Sequence, residues 1–326
     1  LILDGRRVCG DVEIHLYERD WQQHGHAQNP SFDNVVLHVV VYRQEPPART
    51  SQGNRPEVLG LLPYLYQDLE SIAADQALEV LVEGEGGGVQ GWLLGMDETA
   101  RRERLMTAAE TRWRQKVAYA RQRLDALGWE QACHVACLEV LGYARNRVPM
   151  IELATRYPLW QFARQNPEAL FEEAQPGWRL SGCRPENHPR KRLAQYQQML
   201  AAQGHWPNAL TAWAAVLAPL SVRTATRALR RQHQFTSQRQ RLQTEVCADA
   251  LTASRLDTFV TDGVLPLLAA STERDLFAWW FHWFRGDAPD HVDAVLKTTG
   301  VFTLEHPTNN GYTQGLLQLL LEEPMR

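Results

Sequence analysis

The densest group of chemically active side chains lies in residues 10–26, GDVEIHLYERDWQQHGH. A strand brings alternate residues to one face, so Asp11, Glu13 and His15 are predicted to point the same way. His24 and His26 follow in the sequence HGH and can fold back over this strand. Because ionised groups are costly to bury without partners, we expect these side chains to meet solvent, one another or a metal ion.

Metal binding and acid–base catalysis are the two kinds of chemistry that suit these residues. Neutral imidazole is a common ligand of borderline metals, and carboxylates bind hard cations such as Mg²⁺. The predicted catalytic residues are Asp11, Glu13 and His15, and the predicted metal ligands are Glu13, His15, His24 and His26. We expect Mg²⁺ or Mn²⁺ at this site in preference to Zn²⁺. The alternative is a solvated sheet edge that binds nothing.

The order of elements around this strand resembles the core of restriction-endonuclease-like nucleases. A predicted hairpin leads to the acidic strand, then to a crossing segment and an apolar strand. The resemblance implies that Glu13-Ile14-His15 occupies the Glu-x-Lys place of those enzymes, whose carboxylates hold Mg²⁺ for phosphodiester hydrolysis. Histidine can serve as a general base where lysine would stand.

Four longer segments point to a family. They are residues 9–43, CGDVEIHLYERDWQQHGHAQNPSFDNVVLHVVVYR, then LGYARNRVPMIELA, RPENHPRKRLAQY and NNGYTQGLLQL. Together they resemble a bacterial family of unknown function, DUF2851. In that family a Gly-Pro-Asp-Phe segment precedes the hairpin, which implies that the missing nuclease-like acid lies upstream of Leu1. The resemblance supports a polar site around Glu13 and brings no known activity.

Two basic segments are candidates for contact with nucleic acid, since arginine and lysine stripes suit phosphate backbones. The predicted contacts are Arg184, Arg190, Lys191, Arg192, Arg223, Arg227, Arg230 and Arg231. Arg223, Arg227 and Arg230 are predicted to share one exposed helical face. The alternative is a solvated face whose arginines pair with nearby acids.

The elements that must position these residues indicate an α+β fold. We predict a small mixed-sheet, nuclease-like unit at residues 1–97, completed by a segment before Leu1, and a larger, mostly α-helical region at residues 98–326. The Asp4-Gly5 pair predicts a hairpin turn. VVLHVVVYR is apolar on both faces, as a central buried strand would be, with His38 as a hydrogen-bonded core residue. Residues 57–76 are predicted to be helical.

From Asp97 onwards the pattern is helical almost to the end of the chain. Residues 97–129 predict a long amphipathic helix, and residues 130–143 predict another that ends near Gly142. The aromatic stretch FAWWFHWF at residues 277–284 is predicted to belong to the core, although such rings can also stack on bases.

The composition of the chain argues against several classes of protein. The chain has 326 residues, 44% of them hydrophobic and 22% charged, which is typical of globular proteins with a sizeable core. A net charge of −4 gives no overall basic signature of nucleic-acid binding. Five scattered cysteines indicate a reducing compartment. We see no membrane span or signal peptide and expect a cytoplasmic protein; its oligomeric state is left open.

Two functions therefore remain open at this point. The first is a metal-dependent, nuclease-like phosphodiesterase that acts on nucleic acid. The second is a non-catalytic nucleic-acid-binding or scaffold protein that retains the fold. The mutual distances of Glu13, His15 and the neighbouring histidines are the feature that distinguishes them most cheaply.

Overall fold

The computed structural model describes residues 2–3, 5–42, 47–61, 87–288 and 290–322. The chain divides into two compact units, Leu1–Leu65 and Tyr66–Arg326. Residues 87–97, which the sequence assigned to the first domain, thus belong to the second unit. The predicted turn residue Asp4 and most of the helix predicted at 57–76 lie outside the described residues.

The first unit begins with a short antiparallel hairpin, β1 (Ile2–Leu3) and β2 (Arg6–Arg7). Its main sheet has, within the described ranges, three strands in the order β3 (Asp11–Tyr17), β4 (Val35–Tyr42) and β5 (Glu57–Gly60). The central place of β4 was predicted from its apolar sequence. The prediction of a mixed sheet is wrong, because both pairings in this sheet are parallel and the hairpin strands pair with each other.

The start of the helix predicted at residues 57–76 is also wrong, since residues 57–60 form β5. Four residues are too few for a periodic pattern to distinguish strand from helix. Backbone pairing with β4 decides the outcome instead, with Val58 opposite His38 and Leu59 opposite Val39.

The crossing segment between β3 and β4 contains a short helix and two 3₁₀ turns. The helix α1 spans Asp20–Gln23, and the turns span His26–Gln28 and Pro30–Phe32. This segment packs Trp21, which is fully buried, on the sheet face that carries His15 and His38. It therefore forms the cover of the polar face.

The opposite face of the sheet is apolar and exposed. Ile14 is 68% exposed and Val12 is 48% exposed, whereas His15 is buried. An ordinary amphipathic strand would bury its aliphatic side chains and expose its histidine. Here the histidine is buried and the aliphatic side chains are exposed, because Trp21 of the crossing segment covers the polar face.

The described residues of the second unit form helices joined by turns and irregular segments, without a strand. It begins with α2 (Gly87–Leu94) and the long α3 (Glu98–Arg156). The helices that follow are α4 (Leu159–Phe162), α5 (Pro167–Glu173), α6 (Pro189–Ala202), α7 (Trp206–Ala215), α8 (Thr226–Gln232), α9 (Phe235–Arg241), α10 (Ala253–Thr258), α11 (Leu265–Thr272), α12 (Phe277–His282), α13 (Asp290–Thr298) and α14 (Asn310–Glu322). A 3₁₀ turn spans Pro185–Asn187, and π-helical turns span Leu242–Val246 and Phe259–Val264.

The long helix α3 is broken where the sequence predicted ends. Its backbone leaves helical geometry at Gly128, Tyr143 and Asn146. Gly128 lies next to the last residue of the first predicted amphipathic segment, and Tyr143 is the last residue of the second, directly after Gly142. A Cβ on Gly142 would lie 2.7 Å from the Cα of Arg147, so the chain turns tightly on itself there.

The core of the second unit is rich in aromatic residues. The stretch at residues 277–284 is a core element, as predicted, because Trp279, Trp280, Phe281 and Trp283 are all buried. None of the described helices is both long and apolar enough to cross a membrane.

Candidate functional site

The candidate site is built by β3 and the turn that follows it. Strand alternation places Glu13 and His15 on one face of β3, and Tyr17 N–H donates to Asp20 Oδ2 at 2.9 Å where the strand ends. The short helix α1 then reverses the chain. Gly25 takes a left-handed φ of 73°, which glycine adopts without strain, and it brings His24 and His26 back over the strand.

Four side chains converge there, and we call Glu13, His15, His24 and His26 the histidine cluster. His15 Nε2 lies 3.2 Å from His24 Nδ1, 3.3 Å from His26 Nε2 and 3.5 Å from Glu13 Oε1. His26 Nε2 lies 3.6 Å from the same Glu13 oxygen. The three histidines can each offer one nitrogen to a shared ion.

These separations match the edges of a tetrahedron around one metal ion. Zinc bound to imidazole at its usual distance requires ligand atoms about 3.3–3.5 Å apart. Octahedral Mg²⁺ requires adjacent ligands only about 2.8–3.0 Å apart and prefers oxygen. The cluster thus has the ligand type and spacing of a zinc-like site with three histidines and a neighbouring carboxylate.

Burial keeps these imidazoles in the form that binds metals. Loss of solvent lowers the pKa of His15 and of His26 below the ordinary value, and this outweighs the opposite effect of the Glu13 carboxylate. Both rings are therefore neutral at pH 7. The lone pair of a neutral His15 Nε2 can accept one N–H from His24 or His26, or it can bind a cation.

Aromatic side chains pack against the histidine cluster. The ring of His26 stacks on Phe32 with centroids 3.7 Å apart, and Trp21 lies edge-on to His26. Trp21 is itself held by a hydrogen bond from its Nε1 to the carbonyl of Arg49 at 2.8 Å. Nothing in the sequence pattern indicates these supporting rings beyond their apolar character.

His38 joins the cluster from the neighbouring strand, which sequence reasoning missed. It was predicted as a hydrogen-bonded core residue, and it is fully buried with Nε2 2.9 Å from His15 Nδ1. Burial lowers its pKa to about 4, so it is neutral and can accept the N–H of His15. When His15 Nδ1 is the donor in this contact, His15 presents a bare Nε2 to the cluster. Adjacent parallel strands place paired residues side by side, and Glu13 is paired with His38.

Asp11 does not join the histidine cluster. It is exposed and accepts a hydrogen bond from Asn34 Nδ2 at 3.1 Å. The pairing of β3 with β4 shifts register between Asp11 and Val12, which interrupts the alternation on which the prediction relied. The structure therefore does not place Asp11 beside Glu13, as strand alternation had predicted.

The predicted nucleic-acid contacts fall into three groups. Arg184, Lys191 and Arg231 are exposed. Arg190, Arg223 and Arg227 form ion pairs with Glu168, Glu103 and Glu305.

In the third group, Arg192 is buried and Arg230 is partly buried. Arg230 donates to the carbonyls of His282, Trp283 and Thr308, so it ties three segments together. The prediction of one exposed arginine face is wrong for Arg230. It also fails for Arg223, which precedes the helix α8 and is not part of it.

Comparison with known proteins identifies one relationship. A family model described as "Protein of unknown function (DUF2851)" matches residues 1–174, which include the histidine cluster. No curated protein and no solved structure matches the chain.

Proposed function

This chain belongs to DUF2851, a family of proteins of unknown function, and we propose its function from the chemistry of the histidine cluster. The first unit is a metal-dependent, nuclease-like phosphodiesterase that acts on nucleic acid. The observation that carries the proposal is the convergence of three imidazole nitrogens that could hold one ion, with His15 Nε2 3.2 Å from His24, 3.3 Å from His26 and 3.5 Å from Glu13 Oε1.

The geometry changes the metal that we expect. His15, His24 and His26 supply three nitrogen ligands, which favour Zn²⁺ or Mn²⁺ over Mg²⁺. Three protein ligands with a fourth open position are typical of catalytic zinc sites, where a bound water ionises near pH 7. His15 then serves as a ligand and not as the lysine-like base that its position in the strand first suggested.

Glu13 takes the role of general base in this proposal. Its Oε1 lies beside two of the three ligand nitrogens, so it is within reach of a water at the open position. The carboxylate would accept the proton as that water attacks phosphorus, the P–O bond to the leaving nucleotide oxygen would break, and the proton would pass from Glu13 to that oxygen. The histidines hold the metal ion and orient it beside Glu13.

The experiment measures metal content and hydrolysis together in the full chain. We expect one Zn²⁺ or Mn²⁺ per chain and metal-dependent cleavage of a labelled oligonucleotide. His24→Gln lowers metal content, whereas Glu13→Gln retains metal and loses cleavage. The matched control is His205→Gln, an exposed histidine of the second unit.

Two outcomes would overturn parts of the proposal. A wild-type chain that retains none of Zn²⁺, Mn²⁺ or Mg²⁺ removes the metal site. A chain that binds metal but cleaves neither DNA nor RNA removes the enzyme and leaves the binding alternative.

That alternative, a non-catalytic nucleic-acid-binding or scaffold protein, also has a specific observation in its favour. Arg184, Lys191 and Arg231 are exposed and form no ion pair with a described residue. Binding through such groups releases counterions, so its affinity falls steeply with salt. Binding that is flat between low and moderate salt would count against it.

A further inference from the structure

A second polar cluster lies in the second unit, where two segments distant in sequence meet. One is the break in α3 at LGYARNR, and the other is RPENHPRKR, which comprises a 3₁₀ turn and the first residues of α6. The helix α10 adds Arg255. We call Arg147, Arg192 and Arg255, with Asn187 and Tyr143, the arginine cluster.

Two arginines of this cluster share a single amide oxygen. Arg192 Nη2 donates to Asn187 Oδ1 at 2.7 Å, and Arg255 Nη2 donates to the same atom at 3.3 Å. Each arginine is only 8% exposed. Two cationic side chains are thus brought together by a neutral group, which orients them without cancelling their charge.

The described residues neutralise this charge only in part. Asp287 lies 3.1 Å from Arg255, but Arg192 forms no ion pair with any residue that the structure describes. The Nε atoms of Arg147, Arg192 and Arg255 are buried without a hydrogen-bond partner among those residues. Guanidinium groups stay protonated in proteins, so the donors and the positive charge persist at pH 7.

The pKa of Arg192 also reflects this excess of positive charge. Burial, followed by the charge of Arg255, lowers the pKa of Arg192 to about 10, against the smaller effects of Asp287 and the exposed Glu186. A buried cation without a full partner is normally expensive. Its cost is offset when an anion from outside completes the site.

The cluster reaches the surface at Tyr143. This residue is 36% exposed, has a left-handed φ of 55°, and stacks with its ring centroid 4.3 Å from Arg255 Cζ. Arg147 beside it is partly exposed. A small anion can therefore approach the guanidinium groups from this edge.

We propose that the arginine cluster binds a phosphate group. Paired guanidinium forks match the oxygens of phosphate with parallel hydrogen bonds and two positive charges. The phosphate can be free inorganic phosphate or the backbone of a nucleic acid. This proposal does not depend on the histidine cluster, which belongs to the other unit.

Calorimetric titration of the full chain with inorganic phosphate tests the site. We expect binding by the wild type and at least about tenfold weaker binding by Arg192→Met, because charged hydrogen bonds are lost. The matched control is Arg227→Met, whose guanidinium is exposed and paired with Glu305. An oligonucleotide that lacks terminal phosphates identifies the source: competition with phosphate indicates a backbone site, and no competition indicates a free-phosphate site.

A structural role predicts different results. If the arginines only support the fold, phosphate does not bind and Arg192→Met unfolds more readily than the wild type, which overturns the proposal. If they form a ligand site, the phosphate-free variant is at least as stable as the wild type, because an unpaired buried charge is removed. The same titration is repeated with Arg255→Met, which removes the second arginine bound to Asn187. Phosphate binding that both variants leave unchanged also overturns the proposal.

Discussion

His38 shows how a single residue outside the proposed ligand set can determine what that set does. Its Nε2 lies 2.9 Å from His15 Nδ1, and when His15 donates in this contact its Nε2 keeps a lone pair that faces the other members of the histidine cluster. Groups that orient a metal-bound histidine in this way raise its basicity and fix its ring. His38 is therefore part of the site, although it is not one of the proposed metal ligands.

The first prediction concerns this contact. His38→Phe keeps a ring in the core but removes the acceptor, so we expect Zn²⁺ affinity to fall about 10–100-fold. The measurement is competition with a zinc-binding dye. His134→Phe is the control, because it replaces an equally buried histidine of the second unit. An unchanged affinity in His38→Phe would show that the tautomer of His15 is set elsewhere.

The second prediction distinguishes two roles for Glu13, that of a metal ligand and that of a general base. Glu13→Gln keeps the size of the side chain and removes its negative charge. If Glu13 is the base, metal content stays near that of the wild type while the hydrolysis rate falls by about 10²–10⁴-fold. Loss of metal in this variant would instead make Glu13 a ligand, which metal analysis distinguishes directly.

At the scale of elements, the crossing segment depends on the site that it helps to form. It contains one four-residue helix and two 3₁₀ turns, and it is fastened by Trp21 and by Ser51, which donates to Asp33. Such short elements have little stability of their own. A metal ion that joins β3 to this segment would supply the missing constraint.

The third prediction follows from that dependence. Addition of Zn²⁺ should slow amide hydrogen exchange in peptides from β3 and the crossing segment by at least about tenfold, since only the folded segment binds the ion. Peptides from α3 should not change. Exchange that slows equally in both units, or in neither, would contradict local binding at the histidine cluster.

Close packing of another element depends on glycine. A Cβ on Gly315 of α14 would lie 2.2 Å from the carbonyl oxygen of Leu105 on α3, so these two helices touch through backbone atoms. Gly91 in α2 has nothing within 4 Å of the same position. The two glycines are both helical but differ in the space around them.

The fourth prediction compares them. Gly315→Ala should lower the free energy of unfolding by about 1–3 kcal/mol through overpacking. Gly91→Ala should raise it by about 0.5–1 kcal/mol, because alanine favours the helix. Denaturant unfolding measures both. A stabilised Gly315→Ala variant would mean that α14 can shift without cost.

At the scale of the whole molecule, the second unit buries neutral histidines that hold distant segments together. His134 accepts from Tyr196 Oη and donates to the carbonyl of Tyr157, and His282 bonds to Thr226 and Val222 in the same manner. Burial lowers the pKa of each to about 4. Neither ring can take a second proton without breaking one of these bonds.

The fifth prediction is a loss of stability in acid. Each histidine has a pKa near 6.5 when unfolded and about 4 when folded, so the unfolded chain binds more protons between these values. Their contribution is complete above pH 6.5 and falls as the pH drops towards 4, by up to about 3 kcal/mol for each histidine. Denaturant unfolding at pH 7 and pH 5 measures the slope. His134→Phe should flatten it, and an equal slope in both proteins would refute the assignment.

Local pattern was sufficient for much of this protein. Alternation on β3 placed Glu13 and His15 together, and the short spacing to HGH brought His24 and His26 within reach of them. The apolar sequence of β4 predicted a central strand, and helical periodicity predicted the large second unit. Each of these features depends on residues close in sequence, whose geometry the backbone itself limits.

Tertiary structure decided the rest. The register shift beside Asp11 removed that residue from the cluster, and Trp21 determined that the polar face of the sheet is the covered one. The basic character of Arg192 and Arg230 predicts exposed side chains. Hydrogen bonds that the sequence pattern does not reveal hold each of them away from solvent. Burial and register are set by contacts between segments distant along the chain, so no local pattern contains them.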